Sequence, residues 1–199
     1  MTPGGPFLTT VVRLPFELAD RLYGELGALR RATPNHYHYA ATSLHVTLLN
    51  LDSLRAPDEA LDEAADRVAP ILARVMAAAP AVRLTVRGLV VGRHSLFAGA
   101  ADDHSPGTLA QLRRGLWHSL RPVASAKRHA HLGDDLGFIN LVRYGNEELT
   151  QLRRLASRMR HLGFGSFRVE TVELVCTDKV LSGAGTRVLS ALPFGATGR

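Results

Sequence analysis

The stretch "SLHVTLLNLD", residues 43–52, places a histidine and a threonine two apart in an otherwise apolar run. On a strand that spacing puts both on one face. An imidazole exchanges a proton near neutral pH, and a hydroxyl two residues on donates to an oxygen beside it. Strict alternation puts Ser43, His45, Thr47 and Leu49 on one face and Leu44, Val46 and Leu48 on the other. A sheet packed on both sides would not tolerate the first row without partners, so that face is expected to be wet. A His-x-Thr alone is a weak signal, and its partners must come from elsewhere in the chain.

The other stretches with usable chemistry are few. "GFINLVRYG", residues 137–145, reads as a strand with Ile139 and Leu141 on one face and Phe138 and Asn140 on the other. The same alternation puts Arg143 opposite Asn140 and Tyr144 on the Asn140 side. "HYHY" brings His36, Tyr37, His38 and Tyr39 to the approach of the first motif strand. The tyrosines suit stacking on a base or simple packing at an edge. His131 lies a few residues before the second strand. Arg83 and Arg87 share the Thr85 face of "AVRLTVRGLVV". That face either binds phosphate bidentately or is plainly solvated. His94, His104, His118, His129 and His161 read as surface or helix residues. No His/Asp/Glu clustering of a metal site is present, and neither is a glycine-rich phosphate loop, a serine elbow or a dinucleotide fingerprint. No metal or cofactor is expected.

These residues need a frame. "FLTTVVRL" reads as a first strand. Leu18, Leu22, Leu26 and Leu29 recur at helical spacing from Pro15 to about Arg31. Residues 56–80 read as a helix, acidic early and basic late, with Pro70 a kink or break. "AVRLTVRGLVV" and "HSLFAGA" make a hairpin. Leu109, Leu112, Leu116 and Leu120 stripe another helix. Asn146 is a suitable N-cap for a helix stopped at Gly163, and "FRVETVELVCT" and "TRVLSALPF" read as closing strands. Each half thus runs strand, helix, loop, motif strand, helix, strand. The expectation is an α+β fold of two pseudo-symmetric lobes of antiparallel sheet, helices on the outer faces and a central groove. Residues 1–199 are expected to form one bilobal unit, its motif strands near 43–50 and 137–143.

Composition narrows the partners. The chain of 199 residues has 24 Lys and Arg against 18 Asp and Glu, a net charge of +6 that favours anionic partners unless it merely reflects an arginine-rich coding bias. The single cysteine, Cys176, excludes a disulfide within the chain and reads as a small core residue. No apolar run reaches the ~18 residues of a membrane span, and the first residues lack a signal peptide's basic start and apolar stretch. A cytoplasmic protein, favoured as a monomer, is expected.

From "FLTTVVRLP" to "TRVLSALPF", through "LHVTLLNL" and the "LTVRGLVV…HSLFAGA" hairpin, the chain resembles the 2H phosphoesterase superfamily, the fold of the 2′-5′ RNA ligase-like proteins and RNA 2′,3′-cyclic phosphodiesterases. That family carries two His-x-Thr/Ser motifs, one per lobe. His45 and Thr47 match the first. Laid on the second, His-x-Thr-Leu-x-Arg, Leu141 and Arg143 agree, while Phe138 replaces the histidine and Asn140 the hydroxyl residue. The resemblance implies a phosphodiester of a nucleotide or RNA as partner, such as a 2′,3′-cyclic phosphate. His45 would be one of an acid–base pair and Thr47 would hold phosphate oxygens. Phe138, Asn140, Tyr144, Arg83, Arg87, His38, Tyr39 and His131 are the further groove candidates. Phe138 cannot transfer a proton; Asn140 can still donate an amide hydrogen bond. Three outcomes follow: a slow or altered enzyme, one using a surrogate such as His131, or a groove that only binds or does other small-molecule chemistry.

Overall fold

The computed structural model describes residues 6–51, 61–102, 106–123, 135–145, 148–178 and 180–194. Strand β1 (Phe7–Arg13) leads through Pro15 into helices α1 (Phe16–Glu25) and α2 (Gly27–Ala32). The expected single helix breaks at Leu26, yet Leu18, Leu22, Leu26 and Leu29 are all buried as its stripe requires. A two-residue strand β2 (Tyr37–His38) and a 3-10 turn at Ala41–Ser43 precede the motif strand β3 (His45–Asn50). Helix α3 (Leu61–Ala78) runs through Pro70 without ending there. Both Pro70 and Asp66, whose carbonyl the proline leaves without its helical donor, are exposed, so that carbonyl is not left in the core.

The hairpin follows as β4 (Arg83–Val91) and β5 (Ser95–Ala101), then α4 (Thr108–Leu120), the second motif strand β6 (Leu136–Arg143) and α5 (Thr150–Arg158). Asn146, the expected cap of α5, lies outside the described residues, and Gly163 opens a strand instead of stopping the helix. "FRVETVELVCT" is not one strand. It divides into β7 (Gly163–Arg168) and β8 (Thr171–Thr177). At the crossing, Val169 N–H donates to Val82 and Phe194 N–H donates to the Glu170 carbonyl. Strand β9 (Arg187–Pro193) closes the described fold.

Two antiparallel sheets result, ordered β3-β1-β8-β9 and β2-β6-β5-β4-β7. Helix α3 packs on the first sheet, α1 and α5 pack on the second, and α4 touches both β3 and β6. The apolar stripes of these helices and the inner faces of both sheets form one core, running from Leu8 and Leu22 through Leu72 and Leu116 to Ile139 and Leu174. The opposite faces of the sheets are left to the groove. The architecture is the α+β, two-lobed one that the order of elements predicts.

Candidate functional site

Strands β3 and β6 are not hydrogen-bonded to each other, yet they lie side by side. A Cβ on Gly137 would come within 2.6 Å of Val46 Cγ1, so only glycine permits this approach. Arg113 of α4, 4% exposed, ties the two strands together. Its Nη1 donates to the Leu136 carbonyl and its Nη2 to the Thr47 carbonyl, each at 3.0 Å. Neither residue stood out in the sequence. Arg113 lies next to Leu112 of the helix stripe, where a second arginine beside it suggests an ordinary solvated face.

Both motif strands carry a β-bulge at the same place. Val11 faces Thr47 and Thr10 faces Leu49, which leaves Leu48 as the extra residue of β3. Phe97 faces Asn140 and Leu96 faces Val142, which leaves Leu141 as the extra residue of β6. The bulge is therefore the third residue after His45 and the third after Phe138, so the two strands share one geometry. In β3 the bulge is braced by Thr10, whose hydroxyl donates to the Leu49 carbonyl at 3.2 Å and accepts from Leu49 N–H at 3.1 Å.

A bulge inverts the alternation beyond it, and three expectations change. Leu49 joins the core rather than the polar row, and Asn50, paired with Thr9, takes its place. Arg143 shares the Asn140 face, because Ser95 lies opposite Arg143 and also donates to Asn140 Oδ1 at 2.8 Å. Tyr144 turns the other way and packs against the core, its ring 6.0 Å from that of His36. The groove rows are thus His45, Thr47, Asn50 and Phe138, Asn140, Arg143.

The same pairing sorts "HYHY". Tyr37 lies opposite Arg143, and the Arg143 guanidinium hydrogen-bonds Tyr39, whose ring meets Tyr37 edge-on at 5.1 Å. Burial pushes the Tyr39 hydroxyl up and Arg143 pulls the other way. The histidines face away from the groove. His38 Nε2–H donates to the Thr33 carbonyl at 2.9 Å, and His36 Nδ1 accepts from Gly145 N–H at 3.2 Å. His38 therefore does not reach the groove. His131 lies outside the described residues.

His45 is 4% exposed. Its Nδ1 lies 2.7 Å from the Ser43 carbonyl, which can only accept, so Nδ1 carries the proton and Nε2 the lone pair. Nε2 makes no hydrogen bond among the described residues. Burial, joined by the positive charge of Arg13, pushes the ring pKa down to about 4, against the Ser43 bond. Arg13 is the cross-strand partner of His45. It is held by Glu173 Oε2 at 2.9 Å and the Thr42 carbonyl at 3.0 Å. His45 is consequently a neutral base at pH 7.

The second row offers no such group. Phe138 and Phe97 form an edge-to-face pair with centroids 4.7 Å apart, and Val90, opposite Phe97, is 47% exposed. On the same face, Arg83 lies directly opposite Arg168 across β4 and β7, with Thr85 and Arg87 following along β4. Arg83 and Arg168 are exposed, and neither guanidinium is ion-paired among the described residues, although the Arg83 backbone N–H donates to Asp102 Oδ2 at 3.2 Å. On the first sheet, Leu181 (φ 46°) covers Val11 and Val175. Asp178 anchors its loop. Burial pushes that carboxyl up, but hydrogen bonds from Ser182, Val180 and Leu181 hold it below its ordinary value.

A cavity of about 450 Å³ opens beside Arg13 and Glu173 and reaches Arg168 and Glu170 at the β7–β8 crossing. A cleft of about 580 Å³ between α3 and α4, lined by Ile71, Val75 and Leu112, includes no motif-strand residue and is remote from His45. Among the described residues no group of three His, Cys, Asp or Glu is placed to hold a metal ion, and no helix is long and apolar enough to cross a membrane.

No protein-family model matches the chain. No curated protein sequence matches it either. Solved structures do. Escherichia coli LigT in its apo form is 19% identical over 96% of this chain and 99% of that one, with a TM-score of 0.66. TT0787 of Thermus thermophilus is 20% identical over 96% and 99%, with a TM-score of 0.64. E. coli LigT complexed with 3′-AMP is 17% identical over the same shares, also at 0.64. The chain has the 2H phosphoesterase fold.

Proposed function

We propose that this chain is a divergent 2H-fold phosphodiesterase that binds a nucleotide or RNA phosphodiester in the groove and uses His45 as its proton acceptor. One observation carries the reading: a buried neutral histidine whose Nδ1 proton is fixed on Ser43 and whose Nε2 lone pair has no protein partner among the described residues, on the same face as Thr47. Structures of the similar E. coli protein complexed with ATP, 3′-AMP and phosphate support nucleotide binding. Thr47 and Asn140 donate to the phosphate oxygens. Ser95, bonded to Asn140 Oδ1, turns the Asn140 amide N–H groups outward. Arg13 and Arg143 meet the phosphate charge from either side.

The test combines binding with turnover. Calorimetry with 3′-AMP should show binding to wild type, and hydrolysis of phosphodiesters, including 2′,3′-cyclic mononucleotides and short cyclic-phosphate RNA, should fall ~10²–10⁴-fold in His45→Ala. Absence of binding overturns the reading. Binding with identical background turnover in both proteins turns it into that of a non-catalytic binding module, a reading that Phe138 favours.

A further inference from the structure

The groove has a histidine base and, among the described residues, no second histidine to act as its acid. The second sheet presents Phe138, Asn140 and Arg143 from β6, Ser95 and Phe97 from β5, and Arg83, Thr85, Arg87 and Val90 from β4. These are rings, an amide, hydroxyls, an apolar side chain and guanidiniums, and none gives up a proton near neutral pH. Glu173 is ion-paired to Arg13, and Asp178 is ionised and bonded within its own loop. Tyr39 is buried with its hydroxyl engaged by the Arg143 guanidinium, and Tyr37 rests edge-on against its ring. His45 enters the reaction neutral and can only accept.

We propose that the groove selects phosphodiesters whose leaving oxygen departs without a proton, aryl esters above all, and binds ribose 2′,3′-cyclic phosphates as poor substrates. This rests on the reading of His45 given above and narrows its substrate class: nucleotide and RNA phosphodiesters, whose leaving group is a sugar oxygen, are bound but turned over slowly. In the step, a water oxygen bonds to phosphorus while one of its protons passes to His45 Nε2. The bond from phosphorus to the leaving oxygen breaks, and its electron pair goes with that oxygen. The oxyanion is met by the Asn140 amide and the Arg143 guanidinium rather than by a proton, and His45 then releases its proton to solvent. A sugar alkoxide is too basic to leave in this way; a phenolate is not. The replacement also fits the shape of such a group. Where an acid would stand, Phe138 and Phe97 with Val90 make an apolar platform suited to an aromatic ring.

The experiment is a leaving-group series: aryl phosphodiesters of graded phenol acidity, bis(4-nitrophenyl) phosphate among them, together with 2′,3′-cyclic AMP. It is run on wild type, His45→Ala and Phe138→His. In wild type, kcat/KM should fall steeply as the phenol becomes less acidic, with cyclic AMP at least ~10²-fold below the best ester, and His45→Ala should abolish the aryl turnover. Phe138→His should raise cyclic AMP turnover ~10²–10⁴-fold and flatten the series. A shallow wild-type series, or cyclic AMP cleaved as fast as the aryl esters, overturns the proposal. So does a Phe138→His variant of unchanged Tm with no gain. The wild-type series decides alone if that variant is destabilised. Turnover of no ester with 3′-AMP still bound sinks this inference and leaves the binding module, whereas loss of 3′-AMP binding sinks the reading beneath it.

Discussion

A histidine with 4% exposure, its Nδ1–H spent on the Ser43 carbonyl, has chemistry left at one atom only, Nε2. With its pKa at about 4, the ring is already a competent base well below neutrality. Turnover that depends on it should therefore be flat from neutral pH down to about 5 and fall only as the ring protonates near 4. A pH profile of kcat/KM on an acid-stable aryl diester checks this, and a base limb near the ordinary value of about 6.5 for histidine would show that the ring is more hydrated than its burial indicates. Arg13→Gln removes one of the causes of the depressed pKa and should move the limb upward while weakening phosphate binding, since the same guanidinium serves both.

The motif strands act as a pair because α4 and a missing Cβ hold them together. Gly137→Ala would drive a methyl into Val46 Cγ1 and should cost ~1–3 kcal/mol, as overpacking does, read as a lower Tm. Arg113→Met leaves the Leu136 and Thr47 carbonyls without their charged donor and should cost about 3 kcal/mol, with turnover falling at temperatures where the protein is still folded. Alternation in the sequence already set His45 beside Thr47 and Phe138 beside Asn140 on their outward faces, because period two holds up to the bulge. Beyond it the period slips by one residue. Hence Asn50 and Arg143, not Leu49 and Tyr144, continue the rows. The only trace of the slip is a doubled apolar residue, Leu48–Leu49 in one strand and Leu141–Val142 in the other, which propensity alone cannot distinguish from a strand end. Arg113 was illegible for a different reason: a buried arginine is set by tertiary partners that no helical pattern reveals. The division of "FRVETVELVCT" between two sheets likewise depends on where Val169 and Glu170 find their bonds.

Across the molecule, burying His45 neutral links stability to acid. The unfolded ring binds its proton near 6.5 and the folded one near 4. The contribution is therefore whole above about 6.5 and lost progressively as pH falls toward 4. That loss amounts to about 3 kcal/mol for this one group. His38, also lowered by burial, acts in the same direction. Denaturant midpoints at about pH 7 and about pH 4.5 should differ accordingly, and His45→Gln should narrow the gap. The arginines of the second sheet impose a different burden. The ladder holds Arg83 and Arg168 directly opposite each other, an arrangement that costs stability when the charges are alike. The empty protein is thus under electrostatic tension that mobile ions relieve, since the Debye length shrinks to about 10 Å at 0.1 M salt. Sodium chloride should raise Tm, and Arg168→Gln should remove most of that rise. Plain buffer anions then relieve the same repulsion that a bound phosphate would, so the protein is least robust in dilute buffer, where an anion's attraction to these arginines is greatest.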